Sequence, residues 1–377
     1  MQKNISVLKM VLLGVIVLLA GYYFLFTDSN LSSMSDSNFF ELCKKGSLKQ
    51  INNAIRGGAN VNAKNNDGWT PLMFAARDNI ISEVITALIE AGADINAKDK
   101  DGMTPLMRAA GNPNPEKVII ALAKAGADIN ERNENGWTPL MFAALIHSSP
   151  EAVTALINVG SEVNVMSNEG YTPLMFVAGS MKSNPQVVTA LIKAGADVNA
   201  KTKNGLTPLM CAARSANSNP EVISTLISAG TDVNAKDEGG KTPLIHASER
   251  ASNKEVISAL IKAGAEVNAM DIRGNSPLIS AVSWNLNQEQ AEVIAVLINA
   301  GANINAKNNE GQTPLICAAW INRNPEVITT LLNHGAEAKA KDYSGKMAID
   351  YAMENSNLRN TDALLKLEKL TSIYSKM

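Results

Sequence analysis

The chain has 377 residues, with 34 Lys and Arg against 36 Asp and Glu, 46% hydrophobic residues, and only 3 His and 3 Cys. A net charge of −2 supplies no basic field to hold a phosphate backbone, so nucleic acid is excluded as the expected partner. Cys43, Cys211 and Cys317 form no CxxC pair and His147, His246 and His334 lie far apart, so neither a disulfide framework nor a metal centre is encoded, and no cofactor is expected.

Met10 to Phe26 is an uncharged run of 17 residues, preceded by Lys3 and Lys9 and followed by Asp28. At 1.5 Å per residue it reaches roughly 25 Å, near the lower limit for crossing the hydrocarbon, and predicts one membrane-spanning helix within residues 1–26. Tyr22, Tyr23, Phe24 and Phe26 at its end suit the aromatic belt of a membrane interface. The alternative is a secretory signal cut after a small-residue pair, Thr27/Ser29 or Ser33/Ser35. Either way the positive charge stays in the cytoplasm and the rest is exported. The expected location is therefore a bacterial inner membrane with the bulk of the chain facing the periplasm, or the medium if the segment is cleaved. Residues 27–37, rich in Ser, Asn and Asp, form a flexible tether.

Beyond the tether two phrases recur in register. Gly-x-Thr-Pro-Leu returns at Thr70, Thr104, Thr138, Thr172, Thr207 and Thr242, then as Ser276-Pro277-Leu278 and Thr313-Pro314-Leu315, with a decayed copy at Met347-Ala348-Ile349. The spacing is 34 or 35 residues, with one of 37. Gly-Ala-Asp-Ile/Val-Asn keeps step at Gly92, Gly126 and Gly195, with looser copies elsewhere. A fixed period of this length marks a solenoid of stacked units.

Each unit reads as two helices and a turn. Thr70 is placed to accept at the helix N-cap, and Pro71 takes the first helical position, where a missing N–H costs nothing. Leu72, Ala75 and Ala76 share one face, and the small alanines let a neighbouring helix approach. The second helix opens after Asn114-Pro115-Glu116, Ser149-Pro150-Glu151, Asn219-Pro220-Glu221 and Asn324-Pro325-Glu326, each a cap, a proline and an acid at the positive end of the helix dipole. Val84, Ile85, Leu88 and Ile89 supply its buried stripe, and Gly92 ends it.

These residues resemble the ankyrin repeat family, through Asp-x-x-Gly-x-Thr-Pro-Leu-x-x-Ala-Ala and Gly-Ala-Asp-Val-Asn, over about residues 38 to 358. The resemblance implies an all-α solenoid of about ten helix pairs, preceded by the one N-terminal transmembrane helix. Residues 38–64 are read as the N-terminal capping pair, 65–341 as eight full repeats and 342–377 as the C-terminal cap. The His that usually follows Thr-Pro-Leu is here Met73, Met107, Met141, Met175 and Met210, then Ile245, Ile279 and Ile316. Apolar packing should replace the polar bridge of that His. Extra length between the two helices falls in loops such as 179–184 and 283–290.

Cys211, Cys317 and His246 occupy the same slot of their units, filled elsewhere by Phe74, Arg108, Phe142, Phe176 and Ser280. Equivalent slots of adjacent helices stand roughly 8–10 Å apart, whereas a Cys–His nucleophile needs about 3 Å, so packing is the expected role. No phosphate loop, HExxH or GxSxG occurs, and an enzyme is the disfavoured alternative.

The residue after the turn glycine is Trp69, Met103, Trp137, Tyr171, Leu206, Lys241, Asn275, Gln312 and Lys346 in turn. The first five are aromatic or apolar and the last four polar. The resemblance implies that this column lies at the finger tips of the concave side, where partners are gripped, with Arg77, Leu145, Arg214, Glu249 and Trp320 beside it. The expected protein-binding residues are Trp69, Met103, Trp137, Tyr171, Leu206, Arg77, Leu145 and Arg214. The alternative is that the tryptophans brace neighbouring fingers. The expected function is a non-enzymatic scaffold, anchored through residues 10–26, that binds a partner protein whose identity the fold does not name.

Overall fold

The computed structural model describes residues 34–146, 149–215, 217–250, 253–283 and 290–372. The expected membrane segment, most of the tether, His147 and the greater part of the 283–290 loop lie outside the described residues. Among the described residues no helix is long and apolar enough to cross a membrane.

The helices follow one another in pairs. The first pair is α1 (Asp36–Lys45) and α2 (Leu48–Arg56). Next come α3 (Pro71–Asp78), α4 (Ser82–Glu90), α5 (Pro105–Ala109), α6 (Pro115–Lys124), α7 (Pro139–Ile146), α8 (Pro150–Asn158), α9 (Pro173–Gly179), α10 (Pro185–Lys193), α11 (Pro208–Ala213) and α12 (Pro220–Ser228). The series ends with α13 (Pro243–Arg250), α14 (Lys254–Lys262), α15 (Pro277–Ser283), α16 (Gln290–Asn299), α17 (Pro314–Ile321), α18 (Pro325–Asn333), α19 (Ala348–Glu354) and α20 (Asp362–Ser372). First helices stack on first helices and second on second, which gives one layered array with a continuous core.

The caps act as the sequence proposes. Thr70 Oγ1 accepts from the Met73 amide at 3.3 Å, with Pro71 at the first helical position. The same bond recurs at Thr104, Thr172, Thr207 and Thr313. In the second layer Asn219 accepts from Glu221 and Asn324 from Glu326. Asn114 differs, because its side chain caps nothing and its own amide donates to Asn112 Oδ1 at 2.7 Å. Leu72, Ala75, Ala76, Val84, Ile85 and Leu88 are fully buried, and Ile89 is half-buried.

The five methionines are buried, as apolar packing requires. At two of them a polar contact survives, since the Thr70 amide lies 3.4 Å from Met73 Sδ and the Thr207 amide 3.5 Å from Met210 Sδ. A thioether is a weak acceptor, so this replaces a strong bridge by a soft one.

Between pairs the chain runs out into a finger. In the first, Asn65 Oδ1 accepts from the amides of Asp67 and Trp69 and closes the turn. Gly68 sits at φ +83°, and a Cβ there would meet Asp99 Cα of the next finger at 3.1 Å. Glycine is required on both counts. The closeness lets the Lys100 amide donate to the Asp67 carbonyl at 3.0 Å, and equivalent bonds carry the ladder onward to Tyr343 and Glu310.

Candidate protein-binding face

Trp69, Trp137 and Tyr171 are half-buried, each against the apolar ring that begins its own first helix or the next one. Trp69 packs on Phe74 at 5.0 Å between ring centres and lies beneath two guanidiniums, Arg77 at 4.5 Å and Arg108 at 3.9 Å. Both arginines are also paired with acids, Arg77 with Asp78 at 2.7 Å and Arg108 with Asp99. Trp137 reaches across units, with Phe142 at 5.2 Å and the edge of Phe176 at 4.6 Å. Such contacts are the bracing the sequence left as an alternative, and they coexist with one exposed flank.

Met103 and Leu206 do not share that exposure. They are 6% and 5% accessible, because an unbranched or aliphatic chain at this position folds down between fingers where a large ring cannot. Their contribution is to the floor of the face.

Three of the expected residues meet around one opening. Leu145, Tyr171 and Arg214 stand at the rim of a pocket of about 310 Å³ floored by Met175, Phe176 and Cys211. Met181, 68% exposed, and Arg250 complete the rim. Trp69 and Arg77 form a separate cluster with Arg108 and do not line this pocket. A larger groove of about 850 Å³ lies over the polar end of the column. It is lined by Lys241, Asn275 and Gln312, with Trp320, half exposed, at its far side.

One set of residues escaped sequence reasoning. Finger acids reach the slot nine residues later: Asp99 holds Arg108, Asp237 Oδ2 lies 2.8 Å from His246 Nε2, and Tyr351 donates to Asp342 Oδ2 at 2.6 Å. Where the slot holds Phe, the finger residue is Asn65, Asn133 or Ser167. The signal was present in the chain as this pairing of finger and slot.

Burial disfavours the nucleophile reading for Cys211. It pushes the thiol up to about 12, as it does for Cys43 and Cys317, which favours the neutral thiol over the thiolate a nucleophile needs. Burial also pulls the His246 pKa down against the opposing hydrogen bond of Asp237. His246 is committed to Asp237, with Glu249 at 3.9 Å.

Repeated helix pairs, glycine-closed fingers and a partly apolar face on the first-helix side define an interaction scaffold of the solenoid class. Models of ankyrin repeats match this chain almost end to end of the array: a three-copy model at residues 39–133, 112–202, 140–237, 176–271 and 209–308, and a many-copy model at 297–352. The chain belongs to the ankyrin repeat family. It is similar to the solved human ASB11 ankyrin repeat domain, at 26% identity and a TM-score of 0.53, over 62% of this chain and 98% of that one. No curated protein matches it.

Proposed function

We propose that this chain is a non-enzymatic scaffold that grips a partner protein on its concave face, held to a membrane by residues 10–26 with the repeats outside the cytoplasm. The pocket that unites Leu145, Tyr171 and Arg214 carries the reading. Tyr171 of the periodic column and Leu145 and Arg214 beside it converge there on an apolar floor, and a partner's aromatic or aliphatic anchor gains most where contact shields it from water. The anchor rests on the uncharged Met10 to Phe26 run and on Lys3 and Lys9 before it.

The test uses the full chain in its native membranes. A photo-reactive residue at Leu145 should capture one discrete protein, and capture should disappear with Tyr171→Ala. The same residue at Glu221, on the second-helix layer, should capture nothing comparable. A reporter active only in the cytoplasm, fused after Met377, should stay silent. Reporter activity would overturn the orientation, and a soluble product starting after Ser29 or Ser35 would replace the anchor by a cleaved signal.

A further inference from the structure

The pocket has features that specify more than a face. Seven residues beyond the Thr or Ser that opens each first helix stand Arg77, Gly111, Leu145, Gly179, Arg214, Glu249, Ser283 and Trp320 of successive units. Gly179, like Gly111 two units earlier, is a gap in this row. Its φ is not in the left-handed region, and a Cβ there would meet Cys211 only at an ordinary 3.5 Å, so neither backbone strain nor crowding demands glycine. What its missing side chain provides is the opening between Leu145 and Arg214.

The charge at this opening differs from that around Trp69 and from that at the polar end of the column. Arg77, Arg108, Lys241 and Lys346 all have carboxylate partners. Arg214 and Arg250 are exposed, line the same pocket, and have no ion-pair partner among the described residues. Glu249, the row's acid, is held by Lys241 at 2.5 Å, and Glu169, which acts on Tyr171 of the same pocket, makes no ion pair among the described residues. Cys211 in the floor stays a neutral thiol. The recess is thus apolar below and doubly cationic at one edge. At about 310 Å³ it lies at the small end of the roughly 300–1,000 Å³ that ligand pockets span, which suits one large side chain.

We infer that this pocket seats a single Leu- or Phe-sized side chain of an extended partner segment, while Arg214 and Arg250 clamp an Asp or Glu close beside it. A guanidinium fork holds a carboxylate in two parallel bonds, and the apolar anchor fixes its register. The inference rests on the scaffold reading above and names the chemistry of its partner.

The experiment is a selection of phage-displayed random dodecapeptides on the immobilised full chain, followed by titration of the enriched peptides. The expected peptides carry a bulky apolar residue with Asp or Glu within a few positions. Gly179→Leu, which fills the recess, and Arg214→Glu should each weaken them about tenfold or more, while Arg214→Lys, which keeps the charge and loses the fork, should fall between Arg214→Glu and the parent. Thermal unfolding of each variant should match the parent, so that lost binding is not lost folding. Enriched peptides without acids, unchanged affinity for Gly179→Leu, purely apolar peptides indifferent to Arg214→Glu, or no enrichment at all would each overturn the inference. Peptides that depend on Trp69 and Arg77 instead would sink it while leaving the scaffold reading standing.

Discussion

Asp99 and Arg108 show how the choice of one residue dictates another nine positions on. The Asp99 side chain accepts from the Asp101 and Met103 amides with one oxygen and leaves the second facing the slot, where only a donor can answer it. In the first and third full repeats an Asn closes the same turn, at Asn65 and Asn133, and the slot is Phe74 or Phe142. Arg108→Phe alone should therefore strand a buried carboxylate oxygen and cost about 3 kcal/mol. Adding Asp99→Asn recreates the Asn–Phe arrangement of the neighbouring repeats and should restore most of the loss. Chemical denaturation of the two single variants and the double completes the cycle, and strictly additive losses would refute the coupling. The pairing was legible in the sequence, but only to a comparison of two columns at once. Reading the slot column alone left Arg108 and His246 as unrelated substitutions.

Among the elements, the helices were the most legible part because their signals are local. A Thr-Pro pair, or an Asn or Ser followed by Pro and Glu, marks from local residues where a helix starts, and Gly92 at φ +90° marks where one stops. The links between units are less legible, because both partners must be known in space. Asn199 follows the Gly-Ala-Asp phrase and is exposed, yet its Oδ1 accepts from the Asp232 amide at 2.8 Å and its Nδ2 donates to the Gly230 carbonyl at 3.3 Å in the next unit. Asn62, Asn164 and Asn234 repeat this double bond. Asn199→Ala should then cost about 1–2 kcal/mol, more than exposure suggests, because two backbone groups lose a partner. Lys201→Ala, equally exposed, should stay within about 0.5 kcal/mol. Equal denaturation midpoints for the two variants would show that the asparagine row adds nothing to cohesion.

At the scale of the molecule, the repeat period fixed the architecture before any contact was known, since every unit buries its apolar faces only against its neighbours. The face could not be read as fully, because Met103 and Leu206 look like Trp137 and Tyr171 in sequence and differ in where a chain of their shape can go. The same nearest-neighbour logic makes damage depend on position. Leu174 in α9 is fully buried with a unit on either side, so Leu174→Ala removes contacts at two interfaces and should cost about 2–5 kcal/mol. Leu365 is 59% exposed in α20, the last helix of the described array, which packs on α18 and α19. Leu365→Ala should cost under about 1 kcal/mol and chiefly loosen the last helix, which hydrogen exchange would register as faster amide exchange confined to α19 and α20. The central variant should instead speed exchange on both sides of α9. A pair of variants with equal losses, or with exchange raised uniformly along the chain, would mean that the array unfolds as one block and that its stability is not a sum over adjacent repeats.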